Sequence, residues 1–336
     1  MPETSPACAP LPPPDFADIE AAAARLAGVA VMTPLLNAPA LDARLGGQVL
    51  IKAETLQRTG SFKFRGAYNT IRQLPDSARD GGVVAFSSGN HAQGVAQAAR
   101  LCGLPAVIVM PADAPDMKVA NTRADGAEVQ LYDRYFEDRE AIAARLVTER
   151  GATLISPYDD PRIIAGQGTC GLEIARQSVA AGGPPDTVLI CCGGGGLAAG
   201  SALALKHLAP SAEILAVEPE GFDDHRRSLA EGQRVTNPPG SRSICDALLA
   251  PTPGALTFEV NRRHLDGGIA VSDAEVRAAV AFAYRRLKLV VEPGGAVCLA
   301  ALLAGKVATA GRRVAIVLSG GNVDPATFGE IIAETI

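Results

Sequence analysis

Tryptophan is absent from this 336-residue chain and aromatic residues make up only 4% of it, so no site here can rest on stacked indoles. Helix and strand faces must instead be filled by alanine, leucine and valine. The seven cysteines (Cys8, Cys102, Cys170, Cys191, Cys192, Cys245 and Cys298) are odd in number and contain no CxxC pair. That excludes a disulfide framework or a zinc ribbon and fits reduced thiols in the cytoplasm. No basic run or aromatic ladder occurs, and 31 lysines and arginines against 36 acidic residues leave a formal charge of −5, which excludes nucleic acid as a natural partner. Residues 1–14, rich in proline and alanine, lack the basic-then-apolar order of a secretory signal and are too polar for an anchor. A loose N-terminal arm is expected there, with no membrane partner.

What is present is an ordinary globular composition, 48% hydrophobic and 20% charged. Short Val/Ile/Leu runs alternate with longer alanine-rich amphipathic stretches. This predicts an α/β fold whose strands are buried on both faces by crossover helices. The runs predict strands at 49–52, 83–86, 106–110, 153–155, 187–192, 213–218 and 313–318. Helical patterns cover 16–26, 92–101, 137–150, 162–181, 197–208, 273–287 and 296–303. Strand and helix alternate through 82–158, enough for a small doubly wound domain at 79–158 inserted into a larger one made of 1–78 and 159–336. Ligands are expected in the crevice at the carboxyl ends of the strands.

Four blocks carry chemistry. Thr59-Gly60-Ser61-Phe62-Lys63-Phe64-Arg65-Gly66-Ala67 places a lysine at the start of a helical run, where a solvated surface lysine is the plain alternative. Phe86-Ser87-Ser88-Gly89-Asn90-His91 follows a strand and opens a helix, so its hydroxyls and N–H groups form either an anion site or an ordinary serine cap. Gly193-Gly194-Gly195-Gly196-Leu197 follows an apolar strand. Four glycines cost roughly 0.5–1 kcal/mol each in backbone entropy, which a phosphate cradle justifies better than a linker does. Leu318-Ser319-Gly320-Gly321-Asn322 again puts a polar group at a strand end. Gly193, Gly195 and Ala198, with Glu218 at the end of the next strand, also imitate a dinucleotide-binding fingerprint.

In this order and spacing the blocks resemble the fold type II pyridoxal-phosphate enzymes, specifically the threonine/serine dehydratase and serine racemase family. The resemblance extends over 16–336 and includes Ala165-Gly166-Gln167-Gly168-Thr169 and Val291-Glu292-Pro293-Gly294-Gly295-Ala296. It implies two doubly wound open-sheet domains of the tryptophan synthase β-like kind, with pyridoxal 5'-phosphate in the cleft between them. Lys63 is implied as the lysine that holds the cofactor as a Schiff base and then removes the Cα proton. Phe62 would pack on the ring, and Asn90 would donate to its phenolic oxygen. Gly193, Gly194, Gly195, Gly196 and Leu197 would hold the phosphate. Glu292 and Ser319 would complete the cofactor contacts, Ser319 facing the pyridine nitrogen. A hydroxyl there does not favour a protonated ring, so prompt loss of a β-hydroxyl is favoured over a long-lived carbanion.

The substrate carboxylate falls to Ser87, Asn90 and His91. Ser88 matches a hydroxyl that the racemase branch places opposite the lysine, a second acid/base. Arg139 resembles that branch's carboxylate-binding arginine, and Ser243 is similarly placed for substrate. Glu218, the carbonyl of Phe222, and Asp224 resemble its divalent-cation loop, whose hard oxygens suit Mg²⁺ or Ca²⁺. The stretch 247–251 departs from both dehydratase and racemase patterns. The resulting expectation is a cytoplasmic, homodimeric ammonia-lyase acting on a small-molecule amino acid, threonine or serine. Phenylserine, 3-hydroxyaspartate and serine racemisation are the alternatives.

Overall fold

The computed structural model describes residues 11–87, 89–114 and 116–334; the first ten residues of the expected arm, with Cys8, lie outside the described residues. Ten strands occur among the described residues: β1 (Leu35–Asn37), β2 (Gln48–Ala53), β3 (Val83–Phe86), β4 (Ala106–Pro111), β5 (Glu128–Tyr132), β6 (Thr153–Leu154), β7 (Thr187–Cys191), β8 (Glu213–Pro219), β9 (Gly267–Val271) and β10 (Arg313–Leu318). They form two sheets. The larger runs β1-β2-β10-β7-β8-β9 and the smaller β5-β4-β3-β6. Every pairing is parallel except that of the edge strand β1 with β2.

Strand β10 shows why the apolar runs are continuous rather than alternating. Val314, Ile316 and Leu318 enter one core with Val297, Leu299 and Ala301, while Ala315 and Val317 enter another with Cys170, Ile174, Val188 and Ile190. Both faces of the sheet are covered, so each of the larger side chains contributes about 1.5–3 kcal/mol of burial. All seven expected strands form. Strand β5 fills the place left for it by the alternation in 82–158, and β1 and β9 are additions. Their signals are weak because β1 is three residues long and β9 opens with Gly267 and Gly268.

Caps explain where helices differ from the expected bounds. One helix starts at Arg139 because the Asp138 carboxylate accepts from the N–H groups of Glu140 and Ala141. Another loses α geometry after Phe282, continues as a π turn over Ala283–Leu287, and stops at Lys288 with φ 60°. The helix expected at 296–303 begins at Pro293, where a missing N–H is harmless.

Two features fix the site-bearing segments. The helix Pro161–Ala180 and the helix Gly196–Leu208 approach so closely that a Cβ on Gly200 would lie 2.1 Å from the Ile164 carbonyl oxygen. Beneath the Lys63 segment lies a buried ionic network. The Arg65 guanidinium donates to Glu54 at 2.7 and 2.8 Å and to Glu173 at 2.7 and 2.8 Å, and Lys52 donates to Glu173 at 2.6 Å. Two cations face two carboxylates, so the network is neutral as a whole.

Candidate active site

The lysine block is laced to the last sheet turn. Phe62 N donates to Ser319 O at 3.1 Å, Gly321 N donates to Gly60 O at 2.9 Å, and Ser61 bridges to Gly320. This places Lys63 as the first residue of the helix Lys63–Ile71, half-buried. Its Nζ donates to the Pro157 carbonyl at 2.7 Å and lies 5.2 Å from the centre of the Phe62 ring. Burial lowers the amine's pKa to about 8, against the opposing charge of Glu292.

Strand β3 delivers the second block to the same place. The helix Asn90–Cys102 opens there, and Asn90 Nδ2 donates to Glu292 Oε1 at 2.5 Å while Asn90 Oδ1 accepts from Asn322 Nδ2 at 2.7 Å. His91 Nε2 meets the Ile155 carbonyl at 2.9 Å, and burial, then the Lys63 charge, lower its pKa to about 3. The ring is therefore neutral, with its proton on Nε2 and a lone pair on Nδ1. Ser87 Oγ accepts from Gly89 N at 3.2 Å. Ser88 lies outside the described residues. Burial, then Asp246, raise the Glu292 carboxyl to about 7, with the Asn90 hydrogen bond opposing. Asp246 itself pairs with Lys118 of the helix Asp116–Ala124 at 2.9 Å, joining the two sheet systems at the cleft.

The glycine turn runs from β7 into the helix Gly196–Leu208. Among the described residues, the N–H groups of Gly193, Gly194 and Gly195 have no acceptor, and they stand at a helix N-terminus, where partial positive charge gathers. The carbonyls are held from outside: Gly194 O accepts from Thr257 Oγ1 at 2.7 Å and Gly195 O from Asn261 Nδ2 at 3.3 Å. Gly195 has φ 97°, and a Cβ on Gly194 would lie 2.2 Å from the Tyr158 ring. Leu197 is buried in the core behind the turn. Free N–H donors, no room for a side chain, a facing amine of lowered pKa and the Asn90–Glu292 pair fit a phosphorylated aldehyde cofactor.

The other expected residues divide. Ser319 is buried at the carboxyl end of β10, beside the Cys191 thiol. Arg139 is exposed at the start of the helix Arg139–Arg150, its guanidinium 5.2 Å over the Phe86 ring and near enough to Tyr158 to oppose that hydroxyl's raised pKa. Ser243 is engaged elsewhere, donating to Asp273 Oδ1 at 2.6 Å and accepting from Cys245 N at 3.1 Å. In the acidic loop, Glu218 is fully buried and accepts from His225 N at 2.9 Å and Arg226 N at 2.8 Å. The dinucleotide alternative needs this carboxylate open to a ribose in the cleft, whereas Glu218 is fully buried. Asp224 accepts from Asn237 at 2.7 Å through Oδ1, leaving Oδ2 buried without a partner. Phe222 turns on the Pro219 carbonyl. Burial raises Glu218, with Asp224 adding to it, and raises Asp224 to about 6.

Four contributors were not singled out in the sequence. Asn322 ended a quoted block unassigned, and Pro157 and Tyr158 follow β6, where carboxyl-end loops gather. His225 carried no signal beyond its place after the acidic loop.

A family model described as pyridoxal-phosphate dependent enzyme matches residues 27–320. The chain is 45% identical over 317 residues to a Pseudomonas protein named L-threo-3-hydroxyaspartate ammonia-lyase, covering 94% of this chain and 98% of that one. It is 41% identical to a Thermotoga maritima L-threonine ammonia-lyase, covering 94% and 77%. Among solved structures, maize serine racemase superposes with a TM-score of 0.88 at 40% identity, covering 95% of this chain and 97% of that one.

Proposed function

The chain belongs to the pyridoxal-phosphate-dependent enzyme family, and from that premise we propose that it is an ammonia-lyase converting a β-hydroxy-α-amino acid to a 2-oxo acid and ammonia. The observation that carries this reading is Lys63, an amine of pKa about 8 held on the Pro157 carbonyl and facing Asn90, His91 and Glu292. When bound, pyridoxal phosphate supplies an electron-withdrawing ring that makes the substrate's Cα proton removable. Lys63 would hold the cofactor's aldehyde through its amine and, once displaced by the substrate's amino group, its freed amine would take that proton. Ser87 and Asn90, with the backbone N–H of His91, would receive the substrate carboxylate at the start of the helix Asn90–Cys102. The glycine turn would hold the phosphate, and Phe62 and Ser319 would hold the ring. Loss of the β-hydroxyl as water leaves an enamine, which hydrolyses to the 2-oxo acid and ammonia.

Threonine or serine is the substrate this reading takes first. The 45% identity to a protein named for 3-hydroxyaspartate, together with Arg139 at the cleft, favours 3-hydroxyaspartate as the second. We assign the small domain to 79–158, and Mg²⁺ or Ca²⁺ to Glu218, the Phe222 carbonyl and Asp224. Ser88 serves as a second acid/base, the chain is a homodimer, and its compartment is the cytoplasm, in keeping with six free cysteines among the described residues. No helix among the described residues is long and apolar enough to cross a membrane. The test is 2-oxo acid and ammonia release from threonine, serine and 3-hydroxyaspartate by cofactor-loaded enzyme; bound cofactor with no release from any of them overturns the reading.

A further inference from the structure

Gln167 lies at the centre of the Ala165-Gly166-Gln167-Gly168-Thr169 stretch, and none of the roles assigned above uses it. It stands on the helix Pro161–Ala180 and is buried. Two glycines flank its side chain. A Cβ on Gly66, in the Lys63 helix, would lie 3.1 Å from Gln167 Cγ, and a Cβ on Gly196, where the glycine turn becomes helix, would lie 2.4 Å from Gln167 Oε1. The amide is therefore wedged between the segment that carries the amine and the segment assigned to the phosphate.

The two ends of that amide differ. Nε2 faces the Pro157 carbonyl at 3.5 Å, whereas Oε1 is buried with no hydrogen-bond partner among the described residues. Turning the amide over would set two acceptors against each other, so the donor end belongs at Pro157. The same carbonyl oxygen accepts from Lys63 Nζ at 2.7 Å. One acceptor thus has two donors on it, a close amine and an amide standing at the outer limit of a hydrogen bond. For stability alone this is a poor use of a core position, because an unpaired buried acceptor is costly. The second donor acquires a use when the first one leaves. Condensation of the Lys63 amine with an aldehyde forms a C=N bond and expels the aldehyde oxygen with two amine hydrogens as water, so the nitrogen then has at most one hydrogen to give.

We propose that Gln167 is a positioning residue for Lys63, whose amide takes over the Pro157 carbonyl when the amine is committed to the cofactor's aldehyde and yields it when the amine returns. This rests on the role assigned to Lys63 above. Because the exchange helps only the state in which Lys63 has left Pro157, it strengthens binding only of a ligand that carries an aldehyde.

The experiment titrates cofactor-stripped enzyme, by calorimetry and absorbance, with pyridoxal phosphate and with deoxypyridoxine phosphate, in which a methyl group replaces the aldehyde and Lys63 stays on Pro157. Melting curves of the apo proteins are run in parallel. Gln167→Met keeps the length of the side chain and removes both ends of the amide. It should bind pyridoxal phosphate about fivefold or more weakly than wild type, the lower end for a hydrogen bond left unmade, and bind the deoxy analogue as wild type does. Its apo melting temperature should stand at or above that of wild type, since the unpaired acceptor is gone. Gln167→Glu keeps the shape and removes only the donor, so it should bind pyridoxal phosphate no better than Gln167→Met. Equal weakening toward both ligands would make Gln167 a wall of the pocket and overturn the exchange. Unchanged affinity of Gln167→Met for pyridoxal phosphate also overturns it. Absence of borohydride-fixed cofactor on Lys63 in wild type overturns the role of Lys63 instead, and the proposal falls with it.

Discussion

The Lys63 ammonium donates to the carbonyl of Pro157 at 2.7 Å, a residue 94 positions further along the chain. The contact holds the amine in the cleft, and burial lowers its pKa to about 8. An amine attacks an aldehyde only when deprotonated, so reconstitution of the apoenzyme with pyridoxal phosphate should accelerate through about pH 8 and level off above it. Stopped-flow absorbance across pH checks this; an inflection near the ordinary lysine value of 10.5 would sink the assignment. Lys63→Ala should carry no borohydride-fixed cofactor on peptide mapping.

Gly194→Asp tests the cradle. Its Cβ would meet the Tyr158 ring at 2.2 Å, and its carboxylate would repel a phosphate. Calorimetry should find no pyridoxal phosphate binding to this variant, and no NAD(H) binding to wild type. Cofactor affinity within a few-fold of wild type would remove the turn from the site.

Glu292→Gln addresses the raised carboxyl. Its folded pKa of about 7 exceeds an unfolded value of 4.5, so the folded state holds a proton that the unfolded chain has released. This contribution is complete below about pH 4.5 and is lost as pH rises to about 7. Relative to wild-type apoenzyme, Glu292→Gln should therefore gain stability by roughly 2–3 kcal/mol between pH 5 and 7.5 in urea denaturation, from 1.36 kcal/mol per pKa unit. Parallel pH profiles for the two proteins would contradict it.

Glu54→Gln probes the ionic network under the Lys63 helix. Burial alone would raise Glu54, but the Arg65 guanidinium overrides it and the carboxylate sits below its ordinary 4.5. That contribution is present above pH 4.5 and is lost as pH falls through the lower folded value. The variant leaves the guanidinium under-compensated and should lose about 3–5 kcal/mol at pH 7, with the difference shrinking in acid. Equal denaturation midpoints at pH 7 would count against it.

The fold was legible wherever burial on both faces wrote itself as an unbroken apolar run, as in β7 and β10. It was not legible for β9, whose leading glycines carry no face preference, nor for the π turn after Phe282. Lys63, Asn90 and the glycine turn announced themselves through local chemistry at strand ends. Ser243 did not, because its partner Asp273 lies 30 residues away and only the folded chain brings the two together.

The position of β10 has a further consequence for how the chain is made. This last strand lies between β2 and β7, in register with both. During synthesis, at about 5–20 residues per second, β2 emerges some 260 residues before the partner that joins it to the rest of its sheet. Until then β2 and β7 each present an open edge, and the lysine block lacks the Ser319 carbonyl that seats Phe62. The smaller sheet, complete by Leu154, can close on the ribosome; the larger one waits for its centre strand, and the nascent chain is most exposed to strand exchange with its neighbours in the interval.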